Sequence, residues 1–149
     1  MIKTKLMRKI FTLLEVLVVV IIISILSSFA VYQFFRVAEK MRASEGIYIL
    51  GILRSAQLRY YAEHGHFTDV LDEVDVKIPL GKYFNLPQLH TPFYGDGIEE
   101  AVVSIQRNNF HCGRYCGYTL KIGDDTGKII CEQADSDTGA CPPGFDISF

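Results

Sequence analysis

What the chain lacks narrows its chemistry before any motif is read. It has no C-x-x-C pair, the spacing used by thiol redox catalysts, so thiol exchange is not expected as an activity. No nucleophile elbow of the G-x-S-x-G kind occurs. The stretch GDDTGK (123–128) fails as a phosphate loop, because three residues rather than four separate its glycines and neither Ser nor Thr follows Lys128. No enzymatic activity and no cofactor are therefore expected. A large excess of one charge is also missing: 15 Lys and Arg face 17 Asp and Glu, for a net charge of −2. That balance gives no reason to expect a specific nucleic-acid partner, which needs a basic face. Internal repeats and low-complexity tracts are absent. With 49% hydrophobic residues the chain has ample apolar surface to bury, so disorder is excluded and a fold is expected.

At 149 residues there is room for about one domain. The charge is unevenly placed. Residues 1–10 carry Lys3, Lys5, Arg8 and Lys9 and no acid, a basic head on a more acidic body. The next 25 residues, Phe11 to Phe35, read FTLLEVLVVVIIISILSSFAVYQFF, with Glu15 the only ionisable side chain apart from Tyr32. As a helix this run is about 37 Å long, enough to cross a hydrocarbon layer of about 30 Å. Its β-branched residues do not forbid the helix, since lipid forces every backbone N–H and C=O to find an internal partner. The positive charges ahead of it place the N-terminus in the cytoplasm and the residues after about 36 on the far side. A cleaved secretory signal is the alternative, but its apolar region is shorter and ends in small residues, where this chain has SSFAVYQFF.

Glu15 is the anomaly. A carboxylate in an apolar helix costs on the order of 2.5–3.5 kcal/mol at mid-membrane, less near the headgroups, and by default marks function. Either it stays wet at the interface, or a positive group meets it. A chain cut before Phe11 would carry a new α-amino group four residues from Glu15, which a single helix cannot easily fold back. The amino terminus of a neighbouring copy is the natural partner.

These residues carry a family resemblance. KIFTLLEVLVVVIIISIL, with its short basic leader, Phe11 first after the leader and Glu15 fifth, resembles the N-terminal signature of type IV pilins and of the pseudopilins of type II secretion. The resemblance implies cleavage between Ile10 and Phe11 by a prepilin peptidase, N-methylation of Phe11, and stacking of the helices into a filament. It also implies that Glu15 pairs with the Phe11 amino group of an adjacent subunit. The partners implied are further copies or other pilins, the peptidase, membrane lipid, and the inner-membrane pilus assembly or secretion machinery. The family has Gly immediately before the cut where this chain has Ile10, which keeps an unprocessed, membrane-retained form as the alternative.

The expected organisation is a leader (1–10), a transmembrane and assembly segment (11–35) and a globular domain (36–149) in the periplasm or on the cell surface. No proline interrupts Arg36 to His64, and Gly46 and Gly51 are the only weak points for a helix. Ile49, Ile52, Leu53, Ala56 and Tyr60 share one face and form the expected core stripe. Ile47, Leu50, Leu58 and Tyr61 lie on another, covered either by neighbouring subunits or by loops of the same domain. Gly65 is the expected C-cap. Residues 79–97, with three prolines and three glycines, read as a loop. Strands are expected over 100–106, 115–122 and 128–133, with GDDTG closing the last hairpin. The fold class is α+β: a long N-terminal helix packed on a small antiparallel sheet.

Cys112, Cys116, Cys131 and Cys141 all follow the apolar run. An even count outside the cytoplasm points to two disulfides, for which three connectivities exist. Local loop closure favours Cys112–Cys116 and Cys131–Cys141, and the second bridge would resemble the disulfide-bounded C-terminal loop of many pilins. Their spacing does not match the paired knuckles of structural zinc sites, so no metal is expected there, even with His111 nearby. His64 and His66 resemble a two-ligand metal clip without an evident third ligand, and a solvated helix end is the commoner reading. Asp135, Asp137 and Gly139 resemble part of a calcium loop, although a turn explains such clusters as well. Lys77, Lys82, Arg107 and Arg114 read as scattered solvated cations. Three functions follow: a pilin of a type IV pilus, a pseudopilin of type II secretion, or a single-span membrane protein whose outer domain binds a ligand without polymerising.

Overall fold

The computed structural model describes residues 12–79, 81–93, 95, 98–134 and 139–145. It divides into two units, Met1–Phe35 and Arg36–Phe149. One helix, α1 (Leu13–His64), runs through the boundary without a break, as expected of a stretch that holds no proline. Gly65 ends it at φ 79°, donating its N–H to the Tyr61 carbonyl at 2.7 Å, a left-handed position that costs glycine little.

The Arg36–Phe149 unit packs the second half of α1 on a four-stranded antiparallel sheet in the order β1 (Gln88–Leu89), β2 (Ala101–Gln106), β3 (Thr119–Gly123), β4 (Ile129–Glu132). This is an α+β fold. Register aligns Leu89 with Val103, Ile105 with Leu120, and Leu120 with Cys131, which puts these side chains on one face. That face meets Ala43, Ile49, Leu50, Leu53 and Ala56 of the helix, with Phe67, Phe84 and Tyr118 filling in around them. The other face presents Gln88, Gln106, Thr119, Lys121 and Glu132, giving the alternation of a sheet covered on one side.

Three sequence expectations are corrected in detail. The connector 79–97 contains β1, a strand too short to show a period of two, which follows Pro87 at the sheet edge where a missing N–H is tolerated. The strand expected from 115 begins at Thr119, because Gly113–Tyr115 forms a 3₁₀ turn and Gly117 sits at φ 73°. The core stripe is also rotated. Ile52 and Tyr60 are only half-buried, while Leu50 is fully buried and Ile47, Leu58 and Tyr61 pack on the same core, so this domain itself covers the second face.

The largest departure is Arg107. Read as a solvated cation, it is 1% exposed. Its Nε donates to Glu39 Oε1 at 2.8 Å, and its remaining donors reach the carbonyls of Tyr83, Asn108 and Phe110 and the Asn108 side chain. Glu39, also buried, further accepts from Tyr118 Oη at 3.2 Å and from Arg42 Nη1 at 2.9 Å. A charge can be buried here because the carboxylate opposes it and nearly all of its hydrogen bonds are made. Burial, then the negative charge of Glu39, pushes the Tyr118 phenol well above its ordinary range. Other polar residues of α1 tie down loops. Arg54 donates to the carbonyls of Gly123, Asp124 and Asp125, and Gln57 bonds both the carbonyl and the N–H of Thr68.

Candidate assembly segment and its carboxylate

The first half of α1 contains an 18-residue window of mean hydropathy 2.7, none of it buried. All residues from 12 to 35 are exposed, among them Leu17, Ile21, Ile25, Phe29 and Phe35. A monomeric soluble protein rarely leaves so large an apolar surface uncovered. By length and composition this helix is able to cross a membrane. Two serines inside it are satisfied locally: Ser24 Oγ donates to the Val20 carbonyl at 2.7 Å and Ser28 Oγ to the Ile25 carbonyl at 2.7 Å. Such back-bonding removes the penalty of placing a hydroxyl in an apolar medium.

Glu15 is treated differently. Its N–H donates to the Thr12 carbonyl at 3.0 Å and to Thr12 Oγ1 at 3.3 Å. Thr12 is therefore the N-cap, a role the sequence reading missed although T-x-x-E is the spacing of a capping box. Only the first half of that box is made. Among the described residues the Glu15 carboxylate has no hydrogen-bond or ion-pair partner, so a local cap does not account for its charge. Ile10 and Phe11, the expected cleavage pair, lie outside the described residues.

The cysteines form Cys112–Cys116 and Cys131–Cys141, and among the described residues none is free. The first bridge staples the β2–β3 connection, and the second ties β4 to the chain's C-terminal segment. Asp135 and Asp137 lie outside the described residues, so the calcium-loop reading does too. His64 and His66 are exposed beside one another at the end of α1, their ring centroids 6.3 Å apart. Among the described residues no group of three or more His, Cys, Asp or Glu side chains is placed to hold a metal ion. His111 is exposed and adopts φ 47°, next to the Cys112–Cys116 turn. His90, half-buried on the outer sheet face, shares a 2.8 Å hydrogen bond with Ser104 Oγ, and burial followed by the charge of Lys121 lowers its pKa.

No protein-family model matches the chain, and neither a curated protein nor a solved structure does.

Proposed function

We propose that this chain is a structural subunit of a filament of the type IV pilin class, held in the inner membrane by residues 11–35 with its N-terminus in the cytoplasm, and then polymerised through the same segment. The observation that carries this reading is one carboxylate without a partner among the described residues, at the start of a helix whose first half is apolar and exposed, on a chain whose remaining domain is packed and disulfide-bonded. In the membrane, lipid covers the helix. In the filament, neighbouring helices take the place of lipid, and the Phe11 amino group freed by a prepilin peptidase meets Glu15 of the adjacent copy. Apolar burial supplies the cohesion, while the ion pair sets the axial register, because an unpaired charge in that medium is penalised at every other register. The pseudopilus of type II secretion uses the same physics and ends in a shorter fibre. No catalytic role is proposed.

Two measurements test this reading. Intact-mass analysis of membrane-extracted protein should show loss of residues 1–10 and gain of one methyl group. Glu15→Ala should insert into the membrane normally yet enter fibres poorly, and wild-type fibre yield from that variant would refute the pairing. Ile10 favours a second reading, an unprocessed single-span protein with an outer binding domain; it predicts that the leader is retained and that no fibre forms.

A further inference from the structure

The end of α1 holds two imidazoles that the assembly reading does not use. His64 Nδ1 lies 3.1 Å from the Tyr60 carbonyl, and His66 Nδ1 lies 3.1 Å from the His64 carbonyl. A carbonyl can only accept, so in the neutral form of each ring Nδ1 carries the proton and Nε2 keeps its lone pair. Neither Nε2 has a hydrogen-bond partner among the described residues. This is the arrangement found behind metal-bound histidines, where a backbone acceptor on one nitrogen fixes the tautomer and leaves the other for the ion. Gly65, at φ 79°, makes the sharp turn that brings residues 64 and 66 side by side. The Tyr60 ring stacks on His64 at 4.1 Å, and its hydroxyl donates to the Glu73 carboxylate at 2.9 Å, so an anionic charge stands beside the pair.

The geometry points to a surface site for a divalent transition-metal ion, Cu²⁺ foremost and Zn²⁺ or Ni²⁺ after it, held by Nε2 of His64 and Nε2 of His66 with water completing the coordination. Imidazole suits these ions, and copper heads the affinity order, whereas calcium and magnesium want oxygen ligands. An ion about 2.0–2.1 Å from each Nε2 sits about 3.2 Å from each ring centroid, so two neighbouring ligands of a tetragonal Cu²⁺, about 90° apart, have centroids about 4.5 Å apart, and two at the tetrahedral angle of Zn²⁺ about 5.2 Å. The observed 6.3 Å has to close by about 1–2 Å, which calls on rotation of two exposed side chains. With two protein ligands the site takes up metal reversibly. This inference is independent of filament assembly.

The test is titration of the detergent-solubilised full chain with CuCl₂, followed by calorimetry and electron paramagnetic resonance. One Cu²⁺ per chain is expected, with hyperfine splitting from two imidazole nitrogens. His64→Asn and His66→Asn should each weaken uptake by about tenfold or more. The double variant should lose the nitrogen signature and keep the wild-type circular dichroism, while His90→Asn with His111→Asn should bind as wild type. Retention of the two-nitrogen signal in the His64/His66 double variant, or no uptake by wild type at equimolar copper, overturns the assignment.

Discussion

Replacing Glu39 with alanine tests the buried charge network that joins α1 to the sheet. Both side chains of the Glu39–Arg107 pair are 0% exposed and their closest atoms are 2.8 Å apart. Without the carboxylate, the Arg107 guanidinium keeps its bonds to the neutral oxygens of Tyr83, Asn108 and Phe110 but stays buried with no opposing charge. Breaking a buried pair from one side costs about 3–5 kcal/mol. The Arg42 contact adds little, since Arg42 is partly exposed and such pairs contribute up to about 1 kcal/mol. Glu39→Gln keeps the shape and an acceptor while losing the charge, so about 1.5–3 kcal/mol is expected, the range for hydrogen bonds to charged groups. Urea unfolding of the full chain in detergent, followed by near-ultraviolet circular dichroism of the tyrosines, reads the loss as a midpoint lowered by about 2 M for Glu39→Ala at a slope near 2 kcal/mol/M. Asp75→Ala is the control: its pair with Arg59 is 82% and 53% exposed, so the midpoint should barely move. A Glu39→Ala midpoint within about 0.5 M of wild type would show that this pair is not desolvated in the folded protein, and the reasoning would fail.

Two helix glycines should respond with opposite signs. A Cβ on Gly46 would meet the Phe84 ring at 2.8 Å, so Gly46→Ala should destabilise by about 1–3 kcal/mol, whereas Gly51 has nothing within 4 Å and Gly51→Ala should stabilise by about 0.5–1 kcal/mol, both read as thermal midpoints. The bridges span separations of 4 and 10 residues, for which loop-closure entropy gives about 2 and about 3 kcal/mol, so Cys131→Ala with Cys141→Ala should lower urea resistance more than Cys112→Ala with Cys116→Ala. Because the folded-state pKa of Tyr118 lies above the unfolded value near 10, its contribution is intact below about pH 10 and is lost as pH rises further. Stability measured across alkaline pH should therefore decline, and Tyr118→Phe should flatten that decline; an unchanged slope would mean the phenol is not held by Glu39 and burial.

The sequence alone determined the features that rest on local rules. A proline-free run and a closing glycine define α1 to His64, β-branched stretches mark three of the four strands, and an apolar run with a single acid identifies the segment that needs a non-aqueous neighbour. These follow from chain stiffness, side-chain period and transfer free energy, all written along the chain. Only the tertiary structure decided which polar residues go inside. Glu39 and Arg107 are 68 positions apart, and nothing near either one distinguishes it from a surface charge until packing brings them within 2.8 Å. The same holds for Gln57, which is buried because it satisfies both backbone groups of Thr68, and for Gly46, whose missing side chain makes room for Phe84. The physical reason is common to all of them: the penalty for burying a polar group, or for leaving a glycine gap, is set by partners that the chain supplies from far away, and no local pattern records who those partners are.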